Sequence, residues 1–163
     1  MSNFIDLVTQ RYNQELEASL LQDAKANPIT DKLLVLVDVS GSMEFPATDW
    51  HASRLQHAAA IAIELKARAN CSIWASSGLD YDQTQKTELM KQEGYLLFRE
   101  LEFACKNFGG GGIFLEKAIK HISHYEVKPN HLIILTDEQA GSYMPTFGKR
   151  VTIMNMDNYI KPY

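Results

Sequence analysis

Leu33-Leu34-Val35-Leu36-Val37-Asp38-Val39-Ser40-Gly41-Ser42-Met43 joins an uninterrupted apolar run to an acid and two hydroxyls at alternate positions. A continuous apolar run of this length reads as a strand buried on both faces, as in a parallel sheet with helices on either side. Asp38, Ser40 and Ser42 then lie where the chain leaves the carboxyl end of the strand, the edge at which open α/β sheets place their ligands. One carboxylate and two neutral hydroxyls offer three oxygens to a hard cation such as Mg²⁺, which prefers oxygen ligands and retains some water. A purely local reading stays open, because Asp and Ser are favoured at helix caps and in turns for reasons of their own. A nucleophile elbow is not: it needs Gly-x-Ser-x-Gly, and Ser42 is flanked by Ser40 and Glu44.

The same logic recurs downstream. His131-Leu132-Ile133-Ile134-Leu135-Thr136 is a second buried run, and it ends at Asp137. If the two strands are adjacent and parallel, Asp137 comes near Asp38, and two carboxylates there repel each other unless a cation or a proton separates them. Alone, Asp137 reads as a turn or capping acid; paired with Asp38 at an equivalent strand end it reads as functional. Between the strands stands Gly109-Gly110-Gly111-Gly112. It is not a phosphate loop, since no Gly-Lys-Ser/Thr follows and the spacing Gly-x-Gly-x-x-Gly fails at Phe114.

Around these motifs the chain alternates helix and strand patterns. A helix is expected from about Asn3 to Asp23, with Phe4, Val8, Tyr12, Leu16 and Leu20 recurring every four residues. Asp49 to Arg68 is a second, whose alanines suggest close packing on a sheet. Cys71–Ala75 is a strand, and a short edge strand is expected around Thr87–Met90. Tyr95–Asn107 and Phe114–Ser123 are helices, and Arg150–Asn155 is the last strand. Alternation of this kind makes an α/β layered fold, and 163 residues suit one domain spanning 1–163.

A net charge of −4 argues against a sequence-wide electrostatic grip on nucleic acid, so DNA is not an expected partner. No apolar run reaches the length of a membrane span, and Met1–Asp6 lacks the basic start and apolar segment of a secretion signal. Two cysteines, Cys71 and Cys105, are too few for a disulfide framework. Reduced, buried thiols and a cytoplasmic location are the expectation. His121 with His124, His51, His57, Lys117, Lys120 and Trp50 read as surface or packing residues without a role in the site.

Asp38-x-Ser40-x-Ser42 resembles the metal-ion-dependent adhesion site of the von Willebrand factor A fold. A haloacid-dehalogenase phosphatase also carries an Asp after its first strand, but it has a second Asp two residues on, where Ser40 stands. The order of Val39–Met43, Ile73-Trp74-Ala75-Ser76-Ser77-Gly78, the Gly-Gly loop, Leu135-Thr136-Asp137-Glu138-Gln139 and the tail Val151–Tyr159 is similar to TROVE-type domains, those of Ro autoantigen ribonucleoproteins and their bacterial and phage relatives. The similarity covers roughly residues 30 to 160. It implies a three-layer, Rossmann-like von Willebrand A fold with a mostly parallel central sheet, helices on both faces and a divalent-cation site at the carboxyl edge.

By the same resemblance, Ser40 and Ser42 bind Mg²⁺ or Mn²⁺ directly, and Asp38 and Asp137 do so directly or through water. The family's third hydroxyl, a threonine after Gly-Gly, is absent: Gly111-Gly112 is followed by Ile113. Binding is therefore expected to be weak. The function implied is a stand-alone, non-enzymatic binding module whose metal takes a carboxylate from a protein partner. Without the ring of helical repeats that Ro proteins place before this domain, RNA is expected only through a ribonucleoprotein complex, and no membrane is involved. The rival reading is a metal-dependent phosphohydrolase using Asp38 and Asp137. It lacks an evident general base or a phosphate-gripping Arg/Lys cluster near the motif.

Overall fold

The computed structural model describes residues 2–48, 51–79, 84–108, 110–137 and 146–157. The apolar run becomes β1 (Ile29–Asp38), followed by a single 3₁₀ turn at Gly41–Glu44. The other strands are β2 (Ala69–Leu79), β3 (Thr84–Met90), β4 (His131–Thr136) and β5 (Arg150–Asn155). They form one five-stranded sheet in the order β3-β2-β1-β4-β5. The β1/β2, β1/β4 and β4/β5 pairs are parallel, and the edge strand β3 is antiparallel to β2.

Central placement explains the unbroken apolar run of β1, which has a parallel neighbour on each side and layers on both faces. Val35 and Val37 turn to one face, where they pack with Ile73, Ala75, Ile133 and Leu135 under the first four helices. Leu34 and Leu36 turn to the other, against Trp74, Leu132, Ile134 and the last helix. The chain leaves β1 toward β2 on one side, and β4 lies on the other. The carboxyl ends of β1 and β4 therefore form the switch-point crevice of an open parallel sheet.

The helices are α1 (Ser2–Thr9), α2 (Gln14–Ala26), α3 (Arg54–Arg68), α4 (Gly94–Asn107) and α5 (Leu115–Ile122). The four-residue repeat at the N-terminus is divided between two helices instead of running through one. Asn13 is extended, and its side chain accepts hydrogen bonds from the N–H groups of Glu15 and Leu16 at 3.0 and 3.1 Å, which starts α2 afresh. Phe4, Val8 and Leu20 still reach the same core.

The helix expected from Asp49 begins at Arg54, because Ser53 and Gln56 form a reciprocal capping box there; Asp49 and Trp50 lie outside the described residues. So do Gly109, Glu138, Gln139, Asn158 and Tyr159. α3 is buried along most of its length, and Ala58, Ala59 and Ala62 have no exposed surface. Small side chains let its axis approach the sheet while other helices cover its back. His57 is part of this interior at 3% exposure, not the surface residue its polarity suggests.

Cys105 is buried and Cys71 only half-buried; both are free thiols, and burial pushes each up to about 12. Among the described residues no helix is long and apolar enough to cross a membrane.

α4 starts without a side-chain cap of its own. Glu17 of α2 supplies the missing acceptor, taking the Tyr95 N–H at 2.6 Å. Gly94 makes this approach possible. Its φ is +55°, and a Cβ there would meet the Glu17 carboxylate at 2.0 Å. Gly94→Ala is expected to cost about 2 kcal/mol from the left-handed backbone and the displaced carboxylate, read as a lower midpoint in urea unfolding. An unchanged midpoint would show that Glu17 does not cap this helix.

Candidate metal centre

β1 and β4 run in parallel register, Val37 beside Leu135, which sets Asp38 level with Thr136. The Asp38 side chain has no exposed surface. Its Oδ1 accepts the Ser40 N–H at 2.8 Å, and its Oδ2 accepts the Thr136 hydroxyl at 2.6 Å. Burial pushes the Asp38 carboxyl above its ordinary value; the bonds from Thr136 and Ser40 oppose that rise, and the charge of Asp137 adds to it.

Outward from Asp38 the two serines follow. Ser40 Oγ lies 3.1 Å from Ser42 Oγ, and Ser42 donates its hydroxyl to Asp137 Oδ1 at 3.0 Å. The 3₁₀ turn produces this arrangement by folding Ser42 back toward the end of β4. Asp38, Ser40, Ser42 and Asp137 therefore meet in one hydrogen-bonded chain at the carboxyl edge of the sheet.

The glycine loop reaches the same edge through backbone alone. Gly41 donates its N–H to the Gly110 carbonyl at 3.0 Å, and Gly111 and Gly112 bond to the backbone of Gly78 at the end of β2. A Cβ on Gly41 would stand 3.1 Å from the Gly110 oxygen, tight enough that the glycine loop would have to give by a few tenths of an ångström. Ile113 is turned into the α5-side core with Leu34, Leu36 and Trp74. Its side chain offers the site no oxygen.

The cation beside Asp137 is Arg54, at the first turn of α3. Its Nη1 donates to Asp137 Oδ2 at 2.9 Å and to the Ser42 carbonyl at 3.0 Å. Its Nε and Nη2 both donate to Asp157 Oδ1, at 3.1 and 2.7 Å. Asp157, just past β5, is fixed in turn by the Asn155 side chain and by Thr48, whose N–H and hydroxyl both reach its carbonyl. Neither Arg54 nor Asp157 stands out in the sequence. The signal was the capping box at Ser53, which makes Arg54 the first helical residue and aims it at the sheet edge.

The oxygens are of the kind a small, hard divalent ion takes: Ser40 Oγ, Ser42 Oγ and Asp137 Oδ1 follow one another at 3.1 and 3.0 Å, the lengths of the hydrogen bonds between them. Among the described residues no group of three or more His, Cys, Asp or Glu side chains is placed to hold a metal. The donor set here is two carboxylates and two hydroxyls. The charge balance is less favourable than the donor chemistry, because Arg54 already neutralises Asp137.

No family model matches the chain, and neither a curated protein nor a solved structure is matched.

The two bonds to Asp38 separate two roles for its carboxylate. Asp38→Asn keeps an acceptor for the Ser40 N–H, turns its amide to the Thr136 hydroxyl oxygen, and removes a buried charge. Without divalent metal it is expected to melt at or above the wild-type temperature. Asp38→Ala strands a buried N–H and a buried hydroxyl, at a cost of about 1–3 kcal/mol, and is expected to melt several degrees lower. Equal melting of the two variants would show that these bonds contribute nothing.

Proposed function

We propose that the chain is a von Willebrand A domain of the TROVE or Ro type, acting as a divalent-cation-dependent binding module with a degenerate adhesion site. The observation that carries this reading is the convergence of Asp38, Ser40, Ser42 and Asp137 in one hydrogen-bonded chain at the switch point of a mostly parallel sheet. Ser40 and Ser42 would hold Mg²⁺ or Mn²⁺ directly, with Asp38 and Asp137 as anionic ligands, direct or through water. Bound there, the metal supplies an open coordination position for a carboxylate oxygen from a protein partner.

The remaining work falls to the chain itself. Thr136 and the Ser40 N–H hold the Asp38 carboxylate in one rotamer, and the Gly41–Gly110 contact fixes the loop that carries Ser42. Phe45 stands at the rim, 63% exposed. It offers an apolar contact beside the charged one, and a bare acidic partner would leave it uncovered. The site is non-enzymatic in this reading, the setting is cytoplasmic, and RNA is reached only as part of a ribonucleoprotein.

The phosphohydrolase alternative gains one feature from the fold, a guanidinium beside Asp137. Four hydrogen bonds to Asp137, Asp157 and the Ser42 carbonyl hold that group in place. A phosphate would have to displace them, which favours the binding module.

Mg²⁺ affinity is expected to be weak, on the order of millimolar, because Ile113 brings no oxygen and Asp137 is already paired. Calorimetric titration checks this, and Asp38→Asn is expected to remove the binding. Capture of host proteins on the immobilised domain should depend on Mg²⁺ and be lost with chelator or with Asp38→Asn. Chelator-independent capture would count against the reading. Mg²⁺-dependent turnover of p-nitrophenyl phosphate that disappears in Asp38→Asn would replace it with the enzymatic one.

A further inference from the structure

Arg54 occupies a costly position. It is the first residue of a 15-residue helix, where the positive end of the helix dipole opposes a cation. Its side chain is 19% exposed, and that of Asp137 only 5%. A guanidinium is held at such a place only when carboxylates compensate for it, and two do so from different strands. Asp137 extends from the end of β4 and Asp157 from beyond β5, while the Ser42 carbonyl of the motif loop takes a third contact. The two oxygens of Asp137 are divided: Oδ1 faces the Ser42 hydroxyl and Oδ2 faces Arg54.

We propose that Arg54 is a built-in counter-ion of the cation site, a latch that closes on Asp137 when no divalent ion is bound and yields Asp137 when one binds. The proposal rests on the metal-site reading above and adds its regulation. Asp137 neutralised by a guanidinium attracts a second cation less, and a divalent ion beside Ser42 repels Arg54. The two positive groups are therefore in competition for one carboxylate. Asp157 makes the exchange feasible, because Nε and Nη2 keep a bidentate hold on it while Nη1 lets go. Its side chain is 43% exposed, so that part of the pair costs little to leave partly hydrated. Asp157 is thus a positioning residue for the latch, and the Ser42 carbonyl is the point at which release is felt in the motif loop.

The test follows Mn²⁺ binding to the full chain by the loss of the free-ion EPR signal. Arg54→Gln is expected to bind Mn²⁺ on the order of tenfold more tightly than wild type, the effect of removing one nearby positive charge at partial burial. Arg54→Lys keeps the charge and should stay within a few-fold of wild type. Asp157→Asn leaves the guanidinium more dependent on Asp137, so it should not tighten binding at all.

A folded Arg54→Gln protein with wild-type or weaker affinity overturns the latch, as does equal tightening by Asp157→Asn. Asp38→Asn in the Arg54→Gln background separates the two ideas. If tight binding survives that change, or if no variant binds Mn²⁺, the metal-site reading itself fails. Should Arg54→Gln not fold, the wild-type protein gives the answer through the ¹⁵N-resolved Arg54 Nε–H resonance. A shift on Mg²⁺ titration that is absent in Asp38→Asn supports the latch, and an unmoved resonance at saturating Mg²⁺ overturns it.

Discussion

Everything at the carboxyl edge is arranged around one buried acid at the end of the central strand. Asp38 has no exposed surface, and a carboxylate taken out of water is tolerated only when both of its oxygens find donors. The Ser40 N–H and the Thr136 hydroxyl meet that demand, and in doing so they fix the parts around the acid. The bond to Ser40 bends the chain sharply off β1 and aims the two serine hydroxyls along the edge. The bond to Thr136 ties that bend to β4, so that Asp137, the next residue, arrives beside Ser42.

A second carboxylate so close would destabilise the edge by repulsion if nothing opposed it. The fold answers with a guanidinium from the opposite layer. α3 delivers it because the helix is alanine-rich where it meets the sheet and lies close against it, and because the capping box at Ser53 sets where the helix begins. The three-centre arrangement Asp137–Arg54–Asp157 spans the motif loop, β4 and the end of β5. It is largely buried on the Asp137 side, where breaking an ion pair is costly, and open on the Asp157 side, where it is not. That asymmetry is the physical basis for treating the site as one whose charge is already balanced internally.

The balance bears on what such a site is for. A hydrolytic metal centre gains from an uncommitted base and a free cation that gather charge in the transition state. Here Asp137, Asp157 and the arginine are spent on one another, Asp38 is held by the Ser40 N–H and the Thr136 hydroxyl, and the serine oxygens are neutral. That balance supports the proposed ligation of a partner's oxygen over turnover, and the exposed Phe45 supports the proposal of a macromolecular partner.

The strands were legible because burial on both faces forces an unbroken apolar run, and Leu33–Val37 and Leu132–Leu135 admit few other readings. Asp38, Ser40, Ser42 and Asp137 stood out for a related reason, since polar residues just after such a run fall at the ligand-bearing edge of a parallel sheet. Their meeting depends on β1 and β4 being neighbours and on the 3₁₀ turn that folds Ser42 back toward Asp137. The break between α1 and α2 was hidden because Phe4, Val8 and Leu20 keep the helical period across it, and only the bonds of Asn13 to Glu15 and Leu16 reveal a restart. His57 is buried where its polarity predicts the surface, because polarity says nothing about how many layers cover a helix. Arg54 and Asp157, 103 residues apart, carry no pattern of their own. Local periodicity thus determined the elements and the edge on which the acids stand. The cation beside Asp137 was decided by tertiary structure alone, because an ion pair between distant segments depends on where those segments are brought and leaves no trace in the spacing of either.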